Sequence, residues 1–146
     1  MTRRERAPYK DIDPPVRSLV RVLNRFPGVH TYTSCGGHAE ITNSCQEPEG
    51  RWYVDSHIDR TDEGWASLEF FAWMQADVFW ERETAIEFLP LAKAPYLNMP
   101  GQMIFFRWAG LDPKNSAASA DACAETLTEY RKDYYITAHQ AARWDD

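Results

Sequence analysis

The sequence predicts an α+β fold in which an antiparallel sheet carries helices packed mainly on one face, in the order α-β-β-α-β-β-α. Three observations predict it. A clear helical stripe opens the chain, two strand-like stretches alternate at period two, and helix, strand, strand appears twice before a final helix closes the chain. At 146 residues the chain makes one domain over 1–146, with residues 1–12 expected to be a flexible basic arm.

The first helix is expected to begin near Asp13, which can cap it, with Pro14 and Pro15 in a first turn that does not need their missing N–H groups. Val16, Leu19, Val20, Leu23 and Phe26 form its apolar stripe, and Arg17, Arg21 and Arg25 its outward one. Pro27 and Gly28 end it and turn the chain into a strand from Val29, in which Val29, Thr31 and Thr33 alternate with His30, Tyr32 and Ser34. Cys35, Gly36, Gly37 and His38 stop that strand in a tight turn. A polar loop follows to Gly50, long enough to imply a use.

A second strand is expected from Arg51 to Asp59, with Trp52, Val54, Ser56 and Ile58 on one face and Tyr53, Asp55, His57 and Asp59 on the other, polar face. Residues 62–80 fit a helix capped by Thr61, with Trp65, Leu68, Phe71, Ala72, Val78 and Phe79 as its stripe. Phe70, Phe71, Trp73, Phe79 and Trp80 read as core and interface rather than as a base-stacking platform. Thr84–Leu91 and Gln102–Trp108 read as two strands joined through the Pro95–Gly101 loop. A final helix is expected from Asn115 to Trp144, burying Ala120, Cys123, Leu127, Tyr130, Tyr134 and Ala138 or Ala141.

Composition narrows the function classes. The chain is 44% hydrophobic and 14% aromatic with six Trp, so its core needs neither metal nor disulfide staples. Three cysteines make no disulfide framework, and with no apolar run of spanning length or signal-peptide core the chain reads as soluble and cytoplasmic, with no membrane partner. The net charge of −6 argues against general nucleic-acid binding. Residues 1–25 nevertheless carry seven Lys or Arg against three acids, leaving nine against nineteen in the remainder.

The turn after the first strand is the place to expect function. Cys35, His38 and His57, with Asp55 orienting His57, are the candidate catalytic residues, the thiol being the nucleophile and imidazole the base. Ser34, Gly36 and Gly37 are the candidate ligand-binding residues, the backbone N–H groups of 36–38 and the Ser34 hydroxyl forming a cradle for a small polar or anionic group. Cys35, His38, Cys45 and His57 supply an alternative tetrahedral zinc set of two sulfurs and two nitrogens. The leading expectation is a polar ligand-binding cleft with catalytic potential at the Ser-Cys-Gly-Gly-His turn. The rival class is a non-enzymatic module that docks a protein through its acidic surface or the Pro95–Gly101 loop.

The run Val16–His38, a helix ending Leu-Asn-Arg-Phe-Pro-Gly-Val and then His-Thr-Tyr-Thr-Ser-Cys-Gly-Gly-His, resembles the opening of the tRNA wybutosine-synthesising methyltransferase family. The same SCxGH turn recurs in small bacterial and phage proteins that carry histidine after the glycine. The resemblance covers twenty-three residues, and about forty if the strand Trp52–Ile58 is the partner. It implies an α+β fold, a site around Ser34, Cys35, Gly36 and Gly37, and methyl transfer from S-adenosylmethionine to tRNA. The tRNA-modifying members carry arginine where this chain has His38, and they need a basic face for RNA.

Overall fold

The computed structural model describes residues 11–88 and 104–131. The expected basic arm, apart from Asp11 and Ile12, the Pro95–Gly101 loop and the tail positions Tyr134, Ala138 and Ala141 lie outside the described residues. The fold is α+β. Its elements are α1 (Arg17–Arg25), β1 (Val29–Cys35), β2 (Trp52–Ile58), α2 (Asp62–Trp73), β3 (Thr84–Phe88), β4 (Ile104–Gly110) and α3 (Ala120–Tyr130). The four strands form one antiparallel sheet in the order β1-β2-β4-β3.

The helices differ from the expected ones at their ends. A 3-10 turn, Pro14–Val16, precedes α1, and the Asp13 side chain makes no capping bond to it. Two consecutive prolines leave the first turn with few N–H groups for a cap to bind. Thr61 does cap α2, its hydroxyl accepting the Gly64 N–H at 3.1 Å. That helix gives way to a π turn, Met74–Val78, before residue 80. Gln75 in the π turn accepts from Trp108 Nε1 at 3.1 Å and from the Thr84 hydroxyl at 2.9 Å, and it donates to the Thr84 carbonyl at 3.0 Å, fastening the turn to β3 and β4. The last helix starts at Ala120 rather than 115, because a 3-10 turn, Ser116–Ala118, comes first and the Ser119 hydroxyl then caps the new helix.

The core lies between the helices and one face of the sheet. Leu19, Val20 and Leu23 from α1, Leu68, Phe70 and Phe71 from α2, and Cys123 and Leu127 from α3 meet Val54, Ile58, Phe106 and Trp108 from the central strands. Phe71 is the hub, its ring 4.9 Å from Phe26, 5.9 Å from Phe106 and 5.5 Å from Trp108 between centroids. Phe70, Phe71 and Phe79 are fully buried, as a core role requires, while Trp65, Ala72 and Trp80 are exposed. The buried residues of α2 are therefore Gly64, Ala66, Ser67, Leu68, Phe70 and Phe71, of which only Leu68 and Phe71 belong to the predicted stripe. Trp52 anchors the start of β2 by donating its Nε1–H to the Ala118 carbonyl at 2.6 Å.

Asn24 holds the edge strand β1 against α1. Its amide donates to the Val20 carbonyl at 3.0 Å and the Thr31 hydroxyl at 2.7 Å, and its oxygen accepts the Thr31 N–H at 3.1 Å. An edge N–H that would otherwise invite another strand is thereby satisfied. Among the described residues, no helix is long and apolar enough to cross a membrane. Truncating the aromatic hub tests this packing: Phe71→Ala lowers unfolding free energy by about 3–5 kcal/mol in chemical denaturation, with little change in the denaturant slope.

Candidate functional site

A bulge decides which face of the sheet Cys35 occupies. The β1–β2 register runs Val29 to Ile58, His30 to His57 and Thr31 to Ser56, then shifts so that Thr33 faces Asp55 and Cys35 faces Tyr53. Two residues oppose one across the shift, and alternation is reset. Cys35 consequently leaves the face of Val29 and Thr31 and joins that of Tyr53 and Asp55, opposite the helical core.

The turn after Cys35 is held from two sides. The Gly36 N–H donates to Asp13 Oδ2 at 2.9 Å, and that oxygen lies 3.2 Å from His38 Nε2. On the other side, the returning end of the 39–50 loop pairs with the turn: the His38 N–H donates to the Glu47 carbonyl at 2.8 Å and the Glu47 N–H to Cys35 Sγ at 3.3 Å. The loop itself is braced by Thr42 on Gln46 Oε1, by the Cys45 N–H on Asn43 Oδ1, and by the Tyr53 hydroxyl donating to the Cys45 carbonyl at 2.8 Å. Gly37 makes the clamp fit. Its φ is +90°, and a Cβ there would lie 2.6 Å from the Arg51 carbonyl oxygen and 2.8 Å from that of Pro48.

Asp13, Cys35 and His38 thus converge, one donor atom from each lying within 4.8 Å of the other two. Cys35 is buried, whereas the His38 and Asp13 side chains are 31% and 33% exposed, so solvent reaches the cluster from one side. Two of the three backbone N–H groups expected to cradle an anion, those of Gly36 and His38, are instead bonded within the chain.

His57 and Asp55 do not join this cluster. His57 pairs with His30, four residues along β2 from the Tyr53 that faces Cys35, which separates them by about 13 Å along the strand. Its ring packs 5.0 Å from His30 and 5.5 Å from Phe105. His30 is paired in turn, its Nε2 3.0 Å from Asp59 Oδ2. Among the described residues Asp55 orients no histidine: Arg107 holds it by two bonds, Nε to Oδ1 at 2.6 Å and Nη2 to Oδ2 at 2.9 Å. The expected Cys35–His57–Asp55 relay is replaced by Asp13 beside Cys35 and His38. Among the described residues Cys45 also stands outside the converging donors, so the four-ligand set with Cys45 and His57 does not form.

Compared with protein-family models, curated proteins and solved structures, the chain matches none. Chemistry therefore has to be read from the residues themselves.

The polar face of β2 is buried, with Tyr53, Asp55 and His57 at 6%, 3% and 7% exposure. Arg107, on the adjacent β4, makes this tolerable by pairing with Asp55 and stacking its guanidinium 4.0 Å from the Tyr53 ring centroid. The bonded carboxylate raises the Arg107 pKa still further above its ordinary range. Burial, with the neighbouring Cys35 and Asp55, raises that of Tyr53, which stays a hydroxyl donor to the loop. Beside the cluster, a cleft of about 380 Å³ opens between α1 and β1, lined by Asp11, Asp13, Arg21, Asn24, Thr33 and Ser34 among others. Asp13 belongs to both.

Two outcomes check this geometry. Gly37→Ala, forced into a left-handed backbone against two carbonyls, costs well over 1 kcal/mol in thermal or chemical unfolding and shifts the His38 ring resonances, because the turn must open. The three free thiols separate in reactivity: exposed Cys45 reacts first with a disulfide reagent, and Cys45→Ser abolishes that fast phase. Burial pushes the Cys123 thiol up to about 12, so it stays unreactive until the protein unfolds. An unfolded thiol loses its proton near its ordinary 9, so the stability linked to Cys123 is full below pH 9 and declines as pH rises toward 12.

Proposed function

We propose that this is a small-molecule-binding protein whose cleft between α1 and β1, with Ile12, Val20 and Tyr32 beside its charged and polar groups, ends at the Asp13–Cys35–His38 cluster. The observation that carries the reading is the sharing of Asp13: one carboxylate lines the cleft and braces the only described group of converging thiol, imidazole and carboxylate donors. The cleft's size lies at the lower end of ligand pockets, which suits a metabolite rather than a polymer. Its lining sets two carboxylates, Asp11 and Asp13, against one guanidinium, Arg21, with the Asn24 amide and the Thr33 and Ser34 hydroxyls around them. That balance favours a neutral or cationic polar ligand, such as a polyol, nucleoside or amine, over an anion. Three unpaired cysteines suit a reducing compartment, and the cytoplasm is the proposed place of action.

A panel of nucleosides, sugars, amino acids and polyamines, read by thermal shift and calorimetry, tests the proposal. At least one class raises the melting temperature in proportion to the logarithm of its concentration, and Arg21→Trp, which fills the cleft from an exposed helix position, abolishes the shift while the protein stays folded. Indifference to the whole panel would defeat it. Stabilisation by a protein partner alone would favour the docking module, and salt-sensitive binding of tRNA would favour the modification enzyme that the opening sequence resembles.

A further inference from the structure

We infer that Asp13, Cys35 and His38 bind a first-row divalent cation, zinc foremost, through three protein ligands that leave one position open for a donor atom of the ligand in the cleft. The identity of that fourth donor rests on the cleft reading; the cation site itself does not. The donors are one thiolate sulfur, one imidazole nitrogen and one carboxylate oxygen, a mixed soft and hard set that suits zinc better than magnesium or calcium.

The imidazole–carboxylate spacing fits two ligands of one metal, and the sulfur stands within reach of both. In a tetrahedral site with zinc bonds of 2.0–2.1 Å, nitrogen and oxygen ligands sit about 3.3 Å apart. His38 Nε2 and Asp13 Oδ2 are 3.2 Å apart. A single His38 nitrogen lies within 4.8 Å of both an Asp13 oxygen and the Cys35 sulfur. A thiol-imidazole-carboxylate relay needs two different ring nitrogens for its two partners, so convergence on one nitrogen favours a shared cation over a nucleophilic triad.

The surroundings are those of a supported site. Gly36 donates its N–H to the Asp13 carboxylate, and Glu47 donates its N–H to the Cys35 sulfur, where it lowers the cost of a buried thiolate. The clamp around Gly37 and the His38–Pro48 bridge fixes the turn before any ligand arrives, so little ordering entropy opposes binding. The partial exposure of His38 and Asp13 provides the entry path.

The test uses the full chain, purified without chelator. Metal is measured by mass spectrometry, and cobalt(II) is titrated into the stripped protein to read thiolate-to-cobalt charge transfer in the near ultraviolet. The expected result is one zinc or cobalt per chain, with the charge-transfer band intact in Cys45→Ser and His57→Gln. Cys35→Ser, His38→Ala and Asp13→Ala each weaken zinc binding by about 100-fold or more in chelator competition. Should Cys35→Ser fail to fold, the double variant Cys45→Ser/Cys123→Ala leaves Cys35 as the one thiol, and its band must persist. Absence of stoichiometric binding in the wild-type protein, or loss of the band in Cys45→Ser or His57→Gln, overturns the site. The two readings separate cleanly: Arg21→Trp keeps the cation and loses the small molecule, whereas failure of the cation with a surviving thermal shift leaves the cleft standing.

Discussion

The carboxylate of Asp13 ties the start of one helix to the end of one strand, and the whole candidate site depends on that tie. It exists because two lengths match. From Pro14 to Arg25 the 3-10 turn and α1 rise about 20 Å, and the seven residues of β1 run back roughly 20–23 Å. Folding the chain over at Pro27 and Gly28 therefore returns the end of β1 to the level at which α1 began. Asp13 meets Gly36 and His38 there, twenty-three residues on from itself in the first case, at 2.9 Å and 3.2 Å. The carboxylate is free for this work because the Pro-Pro turn offers it little to cap.

The 39–50 loop closes the site from the opposite side. A polar loop of that length in a compact domain costs closure entropy, which must be offset by contacts at its ends. Here those contacts fall on the turn itself, through Glu47 on Cys35 and His38 and through the bridge between Pro48 and His38. Tyr53 adds a brace from beneath, since the strand that pairs with Cys35 also presents the hydroxyl that holds Cys45. Gly37 is where the two segments come closest, which explains why the second of the adjacent glycines has the left-handed backbone. The returning end of the loop, at Glu47 and Pro48, forms one wall of the site.

Much of this was legible in the residues and some was not, for identifiable reasons. The antiparallel α+β class, the start of α2 at Thr61, the stretch Trp52–Ile58 and the buried Ala120, Cys123 and Leu127 follow from periodicity and capping chemistry, which are local. The pairing of Cys35 with His38 was local too, being a matter of one tight turn. His57 and Asp55 were misplaced because a shared strand face says nothing about register, and the register puts His57 opposite His30. The bulge that moves Cys35 across the sheet has no local signature in Thr31-Tyr32-Thr33. Asp13 was read as a cap, the commonest role for aspartate before a helix, and only the length match reveals its other use. Arg107 did leave a trace, as a single charge in an otherwise apolar strand, but its partner directly across on the adjacent β2 is a tertiary fact.

Sharing one carboxylate between a cleft and a donor cluster has a thermodynamic consequence. Whatever binds in the cleft meets the charge of Asp13, and whatever binds at the cluster alters that charge. A divalent cation at Asp13 and a Cys35 thiolate would cancel two negative charges, leaving Asp11 and Arg21 to oppose each other across the cleft. The preference for a cationic ligand would then relax toward a neutral one, or toward a donor group able to occupy the open position. By linkage, such a ligand must tighten the cation by the same factor by which the cation tightens it. The Asp55–Arg107 pair, its carboxylate buried and its guanidinium partly exposed, neutralises the charge on the neighbouring face, so this coupling centres on the partly exposed corner where α1 begins and β1 ends.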